Sequence, residues 1–307
     1  MSIRARSWSA THTFAHGEFA VPRLAALREV TVSVCLPARN EASTIASILQ
    51  SLLELEQLGV IDQIVVVDHS SDATPDIARR MGVEVHDQEC LLPQLGPVRG
   101  KGDAMWRSLS VLTGELVCFL DADTEEFDAR FVRGLLGPLV TRPEISFVKG
   151  FYRRPFKLAG HTTPDGGGRV TELAARPLLN LFYPDLAAVR QPLAGEIAAR
   201  RELLERLPFV TGYGVDIALL LDAYRQVGLE AIAQVDLDVR QNAHQPLRDL
   251  GPMAFAVLSA VAARLRQEGR LNGPLPSSFL LSGEDEVVTL GAEAVQRPPL
   301  TTLRAAA

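Results

Sequence analysis

Asp121 and Asp123 close an apolar run (residues 115–120), a spacing that sets two carboxylates beside one another at the end of a strand. A hard divalent cation takes carboxylate oxygens together with water. The pair can therefore hold Mg2+ or Mn2+ against the phosphates of a nucleotide, offsetting charge that grows on a leaving diphosphate. Alone, Asp-x-Asp is just as readily a helix cap in a solvated loop. The other polar clusters change that balance. Arg39-Asn40-Glu41 follows one apolar run, Asp68 ends another, and Lys101 stands between Gly100 and Gly102 where a helical pattern begins.

The elements that position these residues follow from periodicity. Residues 31–36 are short, β-branched and apolar, which predicts a buried parallel strand stopped by Pro37. Ile45, Ile48, Leu49, Leu52, Leu53 and Leu55 then mark one face of a helix. A second strand spans 61–67, and Pro75 opens a second helix. A third strand covers 83–86, a third helix begins at GKGDAMWRSL, and a fourth strand covers 116–120. Strands alternating with helices predict a parallel α/β sheet with right-handed crossovers. Such sheets collect ligands at the carboxyl ends of their strands, where all the polar clusters fall.

Further on, 145–152 predicts a strand, 162–168 a flexible loop, and a helix starts near Arg169. Helices are predicted over 195–207 and 215–228, a strand over 231–239, and a last helix over 253–268 before a tail of low order. The chain divides as an arm lying on the domain surface (1–30), a parallel α/β half (31–150), a sugar- or substrate-binding part (151–250), and a C-terminal helix with tail (251–307).

Composition bounds the function. The 307 residues carry 31 Lys plus Arg against 37 Asp plus Glu, a net charge of −6. This acidic balance argues against nucleic acid or an anionic membrane as partner. Hydrophobic content of 47% with 22% charged residues excludes a disordered or fibrous chain. The longest uncharged apolar stretch, 252–263, is short of the roughly 20 residues a bilayer span needs. Cys35, Cys90 and Cys118 form no CxxC pair; Cys35 and Cys118 lie in apolar runs. They read as small buried hydrophobes in a reducing compartment, so a cytoplasmic location is expected.

The blocks VSVCLPARNE, VVVDHSSDAT, GKGDAMW and FLDAD, in that order, resemble the nucleotide-diphospho-sugar transferases of the GT-A fold. VKGFYRRP, GGGRVTELAARPLL, QPLAGEIAARRELL, PFVTGYGVDIALLLD and AIAQVDLDVR narrow the likeness to the glucosyl- and mannosyl-3-phosphoglycerate synthases. The resemblance runs from about residue 31 to 250. It implies an α/β GT-A fold with a mainly parallel sheet, and a retaining, metal-dependent transfer of a hexose to 3-phosphoglycerate. Mg2+ is the implied metal, with Mn2+ or Co2+ as substitutes, and a homodimer is the implied assembly. UDP-glucose is the expected donor; GDP-mannose, or a choice of both, is the alternative.

The resemblance also implies roles. Pro37, Ala38, Arg39 and Glu41 would bound the nucleobase and ribose, with Asp68 also at the base. Lys101 would reach the diphosphate, Asp121 and Ala122 the ribose, Asp123 the metal, and Arg240 a phosphate. Gly168, Arg169 and Thr171, joined by Asn242, would hold the acceptor. Amides of a glycine run entering a helix, a guanidinium and a hydroxyl make a fitting anion cradle. Leu193 would lie against the sugar, while Tyr213 and Asp216 orient its hydroxyls; Asp123, Leu193 and Asp216 are the implied catalytic set. Two positions depart from the family pattern. Asp216 replaces a Glu, and Arg240-Gln241-Asn242-Ala243-His244 exchanges the family's His and Asn. Either His244 completes the metal shell or Asn242 supplies an oxygen. A double-displacement route would need a carboxylate at the anomeric carbon, from Asp216 or Glu196. Other classes fit less well: a processive transferase lacks its QxxRW-like block here, and a nucleotidyltransferase lacks its Gly-rich first loop. A non-catalytic sugar-nucleotide-binding module would be the consequence of a defective metal shell.

Overall fold

The computed structural model describes residues 3–158, 161–163, 167–241, 246–276, 278–282, 287–291 and 295–305. An eight-stranded sheet organises it. In chain order its strands are β1 (Thr13–Ala15), β2 (Val32–Ala38), β3 (Gln63–Asp68), β4 (Glu84–Asp87), β5 (Leu116–Phe119), β6 (Phe147–Arg153), β9 (Ile197–Arg200) and β11 (Ile232–Val239). The hairpin strands β7 (Phe156–Leu158) and β8 (His161–Thr163) and the two-residue β10 (Phe209–Val210) lie outside it.

The spatial order is β1-β11-β6-β9-β5-β2-β3-β4. Every neighbouring pair is parallel except the two made by β9, which runs antiparallel between β5 and β6. From β2 the chain winds one way to β3 and β4, then returns to place β5 on the other side of β2. The carboxyl ends of β2 and β5 thus flank a topological switch point, where open α/β sheets leave a crevice. Strands buried on both faces need apolar residues throughout, which explains the unbroken IVVV and LVCF runs.

Each face carries a helical layer. Val34, Leu36, Ile64 and Val66 pack under α3 (Ile45–Gln57), α4 (Thr74–Arg80) and α6 (Ala129–Thr141). Cys35, Val65, Val67 and Phe119 face the opposite layer, which contains α5 (Lys101–Ser108), α9 (Val215–Val227) and α10 (Leu250–Gln267). Cys35 and Cys118 are buried as expected, and burial lifts the Cys35 thiol to about 12; Cys90 is exposed.

Three sequence expectations are corrected. The amino-terminal segment does not simply lie on the surface. After helix α1 (Ile3–Thr11), Thr13–Ala15 joins the sheet edge beside β11, and Trp8 is buried with its Nε1 donating to the Ile232 carbonyl at 2.8 Å. Three residues are too few to show alternation, so the strand had no sequence signature. The helix expected over 195–207 is a strand followed by one turn of helix, α8 (Arg201–Arg206). Its first half is short and buried up to Ala199, a pattern that periodicity cannot tell from a helix. The tail is also ordered over part of its length. β14 (Gln296–Arg297) pairs with β10, and α11 (Leu300–Ala305) buries Leu300. Of the loop expected at 162–168, Thr162 and Thr163 fall on β8 and 164–166 lie outside the described residues. No helix among the described residues is long and apolar enough to cross a membrane.

Candidate active site

A cavity of about 770 Å3 opens at the switch point. One wall is the end of β2 with its loop: Pro37, Ala38, Arg39 and Glu41. That loop turns through Asn40, held in the left-handed region (φ 61°) that asparagine tolerates. Its Oδ1 accepts from the Ser71 amide at 2.8 Å, while the Glu41 amide donates to Thr74 Oγ1 at 2.8 Å. The β5 loop brings Asp121, Ala122 and Asp123, braced by Thr44 Oγ1 donating to the Ala122 carbonyl at 2.6 Å. Lys101 is the first residue of α5, after Gly100 at φ 78°, a conformation that strains any side chain. Gly168, Arg169 and Thr171 form the far wall with Leu193, Tyr213, Asp216 and Arg240. Thr171 begins a π-helical turn, Thr171–Ala175, leading into α7 (Arg176–Phe182).

Of the predicted site residues, Asp68 is placed elsewhere. It is buried, accepts from the Ser70 amide at 3.1 Å and hydroxyl at 2.6 Å, and shapes the turn; its neighbour His69 lines the cavity instead. Asn242 and His244 lie outside the described residues, so the choice between them for the metal shell does too. The remaining predicted residues share the one cavity.

Electrostatics knit them together. Lys101 Nζ lies 2.5 Å from Asp121 Oδ1 and 3.5 Å from Asp216 Oδ2. Arg240, buried to 2% exposure, bridges Asp121 Oδ2 (3.0 Å), Asp123, Glu196 Oε1 (2.9 Å) and the Tyr152 hydroxyl (2.8 Å). Burial opposes the charge on Asp121, but Lys101 and Arg240 hold its carboxyl well below the ordinary range. Burial raises Asp216 and Glu196. Glu41 is pushed up to about 7, first by burial and then by Asp123 and Asp121.

Glu196 does not line the cavity, and both its oxygens face the Arg240–Tyr152 pair, with the Tyr152 hydroxyl donating at 2.7 Å. It is a counter-ion rather than a nucleophile. Asp216 does line the cavity, and its buried Oδ1 has no hydrogen-bond partner among the described residues. An orphaned carboxylate oxygen at a cavity wall calls for a ligand hydroxyl.

The donor set suits a divalent cation. Asp121 is engaged by two cations, whereas the Asp123 side chain is 45% exposed at the rim, leaving room for waters. Mg2+ and Mn2+ are commonly held by one or two carboxylates, water and substrate phosphate oxygens, and need no protein cage. No cluster of three acidic, His or Cys ligands occurs among the described residues, which accords with such an open shell.

Several residues here escaped the sequence reading. Lys149 is fully buried in β6, with Nζ donating to the carbonyls of Ala194 (2.8 Å) and Asp216 (3.4 Å); burial lowers its amine to about 8. A lone lysine inside the apolar run ISFVKGFY was the available signal. Gly195 packs so close that an added Cβ would collide with the Asp121 carboxylate and Lys101 Nζ. Nothing in the chain's local pattern marks it.

Comparison with known proteins gives a consistent picture. The family description "Glycosyl transferase family 2" matches residues 33–184. A glucosyl-3-phosphoglycerate synthase of Petrotoga mobilis is 42% identical over 305 residues, covering 95% of this chain and 94% of its own length. The crystal structure of mannosyl-3-phosphoglycerate synthase from Rubrobacter xylanophilus superposes with a TM-score of 0.90 at 44% identity, covering 97% of this chain and 98% of that one. Glucosyl-3-phosphoglycerate synthase from Mycobacterium tuberculosis, solved with Mn2+, UDP-glucose and phosphoglyceric acid, superposes with a TM-score of 0.83 at 41% identity, covering 93% and 96%.

Proposed function

The chain belongs to the glucosyl-3-phosphoglycerate synthase family of GT-A hexosyltransferases, and on that premise we propose that it transfers glucose from UDP-glucose to 3-phosphoglycerate with retention. The observation that carries the reading is the single cavity joining the Asp121–Asp123 loop and Lys101 to the Gly168-Arg169-Thr171 turn. Its volume of about 770 Å3 suits a sugar nucleotide at one end and a small phosphorylated acid at the other.

In this reading the chain's own residues bind, orient and neutralise. Pro37, Ala38, Arg39 and Glu41 bound the nucleoside. Lys101 and Arg240 bring positive charge to the diphosphate, a preorganised stabilisation of negative charge that develops on departure. Asp123 would hold a divalent cation, which would supply Lewis-acid neutralisation of the diphosphate charge. Asp216 accepts from a sugar hydroxyl through its unpartnered oxygen, and Leu193 and Tyr213 confine the ring. Gly168, Arg169 and Thr171 hold the acceptor so that its hydroxyl reaches the face the diphosphate leaves, its proton passing to the departing phosphate. That route gives retention without a protein nucleophile. Of the two carboxylates considered for double displacement, Asp216 lines the cavity and Glu196 does not.

The mannosyl reading keeps its place through one observation, the 0.90 superposition on the Rubrobacter mannosyl enzyme. An end-point assay with 3-phosphoglycerate and Mg2+ separates the two, offering UDP-glucose, GDP-glucose and GDP-mannose separately. Product with UDP-glucose supports the proposal; product with GDP-mannose alone transfers the chain to the mannosyl branch. Absence of product from all three refutes the acceptor.

A homodimer and a cytoplasmic setting belong to the same proposal. On α10, Val261 is committed to the chain's own core while Leu258 is 43% exposed, so one face of that helix remains open to a second copy. Light scattering should give twice the 33.3 kDa chain mass. A monomer would remove that part.

A further inference from the structure

Arg154, just past the end of β6, is a cation without a counter-ion. Its side chain is partly buried, and its Nε is sealed from solvent with no hydrogen-bond partner among the described residues. One terminal nitrogen donates to the Tyr152 hydroxyl at 2.9 Å, and the guanidinium lies over the Tyr152 ring at 5.1 Å. Arg240 approaches the same phenol oxygen at 2.8 Å, and the phenol proton goes to Glu196. Arg240 has three carboxylates to neutralise it, whereas Arg154 has none within ion-pair distance among the described residues. A half-buried guanidinium with no counter-ion, open to a cavity on one side, is stabilised by an anion that enters there.

The space beside it is suited to one. Arg154 lines the main cavity and also an annex of about 30 Å3, shared with Gly168, Thr171 and Gln191. Glu172 borders the annex too, but Arg176 binds both its oxygens at 2.7 and 2.8 Å and cancels its charge. A guanidinium fork matches the two oxygens of a carboxylate, and Gly168, Arg169 and Thr171 already offer the cradle suited to the phosphate. We propose that Arg154 is a specificity-determining residue of the acceptor subsite, holding the carboxylate of the phosphorylated hydroxy acid while Gly168, Arg169 and Thr171 hold its phosphate. This rests on the acceptor reading above.

The test compares wild type with Arg154→Gln in steady-state transfer from UDP-glucose with Mg2+. 3-Phosphoglycerate is the acceptor, and glycerol 3-phosphate, which lacks the carboxylate, is the competitive inhibitor. The KM for 3-phosphoglycerate should rise about tenfold to a hundredfold, the scale of a lost charge-assisted pair. The kcat and the KM for UDP-glucose should stay within about threefold, and the Ki of glycerol 3-phosphate should not change. Arg154→Lys, which retains the charge and most of the volume, should show a smaller rise and carries the test if Arg154→Gln does not fold. Equal losses toward both acceptor-site ligands, or toward the donor, would mean that Arg154 merely props Tyr152 and would overturn the inference. An unchanged KM for 3-phosphoglycerate in an active variant overturns it alone. Wild-type enzyme inactive with 3-phosphoglycerate overturns the acceptor reading, and this inference with it.

Discussion

Asp123 and Arg240 occupy each other until a ligand arrives. The guanidinium spans both aspartates of the Asp-x-Asp loop, and only Asp123 keeps substantial exposure. Removing the Asp123 carboxylate should therefore spare folding while removing the anchor proposed for the cation. Asp123→Ala is expected to lower kcat/KM by about a hundred- to a thousandfold with the melting temperature unchanged, measured by Mg2+ titration of activity beside calorimetry. Lys149 makes a separate prediction in pH. Burial lowers its amine from 10.5 to about 8, so between those values the unfolded chain holds a proton that the folded chain lacks. Its contribution to stability therefore rises with pH through that window. Lys149→Met should flatten that part of the profile, read as denaturation midpoints at pH 8 and pH 10. Arg240 was legible through the family resemblance, Lys101 because it stands between two glycines where a helix begins, and Asp121 and Asp123 because they end an apolar run. Asp68 misled for the same reason, since a strand-end aspartate that caps its own turn looks the same in sequence as one that meets a ligand.

At the scale of elements, β9 governs the packing behind the proposed donor site. Its approach delivers Gly195 against the Lys101–Asp121 pair, and the strand itself separates β5 from β6. Gly195→Ala should displace Asp121 and Lys101 and weaken UDP binding more than about tenfold, measurable by calorimetric titration, with little change in circular dichroism. Unaltered UDP affinity would show that the pair can shift at no cost. The parallel β/α series before residue 123 was readable because strand and helix periods alternate cleanly there. β9 was not. Four residues, three of them buried and two of them alanine, carry neither period, and their strand identity comes from the two neighbours that hydrogen-bond to them.

Across the whole molecule, the end of the chain secures the beginning of the site. Arg297 pairs with the fully buried Asp103 at 2.6 Å, two residues past Lys101, and donates to the Pro97 carbonyl at 2.9 Å. Trp106 Nε1 donates to the Pro298 carbonyl at 2.8 Å. Arg107 also binds Asp103, at 3.0 Å, so losing Arg297 leaves that carboxylate half satisfied. Arg297→Met should cost about 3 kcal/mol, seen as a lower midpoint in urea, and should loosen the Lys101 helix enough to raise the KM for the sugar nucleotide. These long-range ties left no trace in the sequence, because a pair nearly two hundred residues apart has no local period. The chain's order of synthesis inherits a further constraint from the sheet. Its first strand, Thr13–Ala15, lies beside β11, and Gln234 donates to Thr13 across 221 residues. At about 5–20 residues per second on a ribosome, the amino terminus waits roughly ten to forty seconds for that neighbour. Through that interval the nascent chain carries Trp8 uncovered and an incomplete sheet, so its early half is a natural client for a chaperone that shields apolar surface during translation.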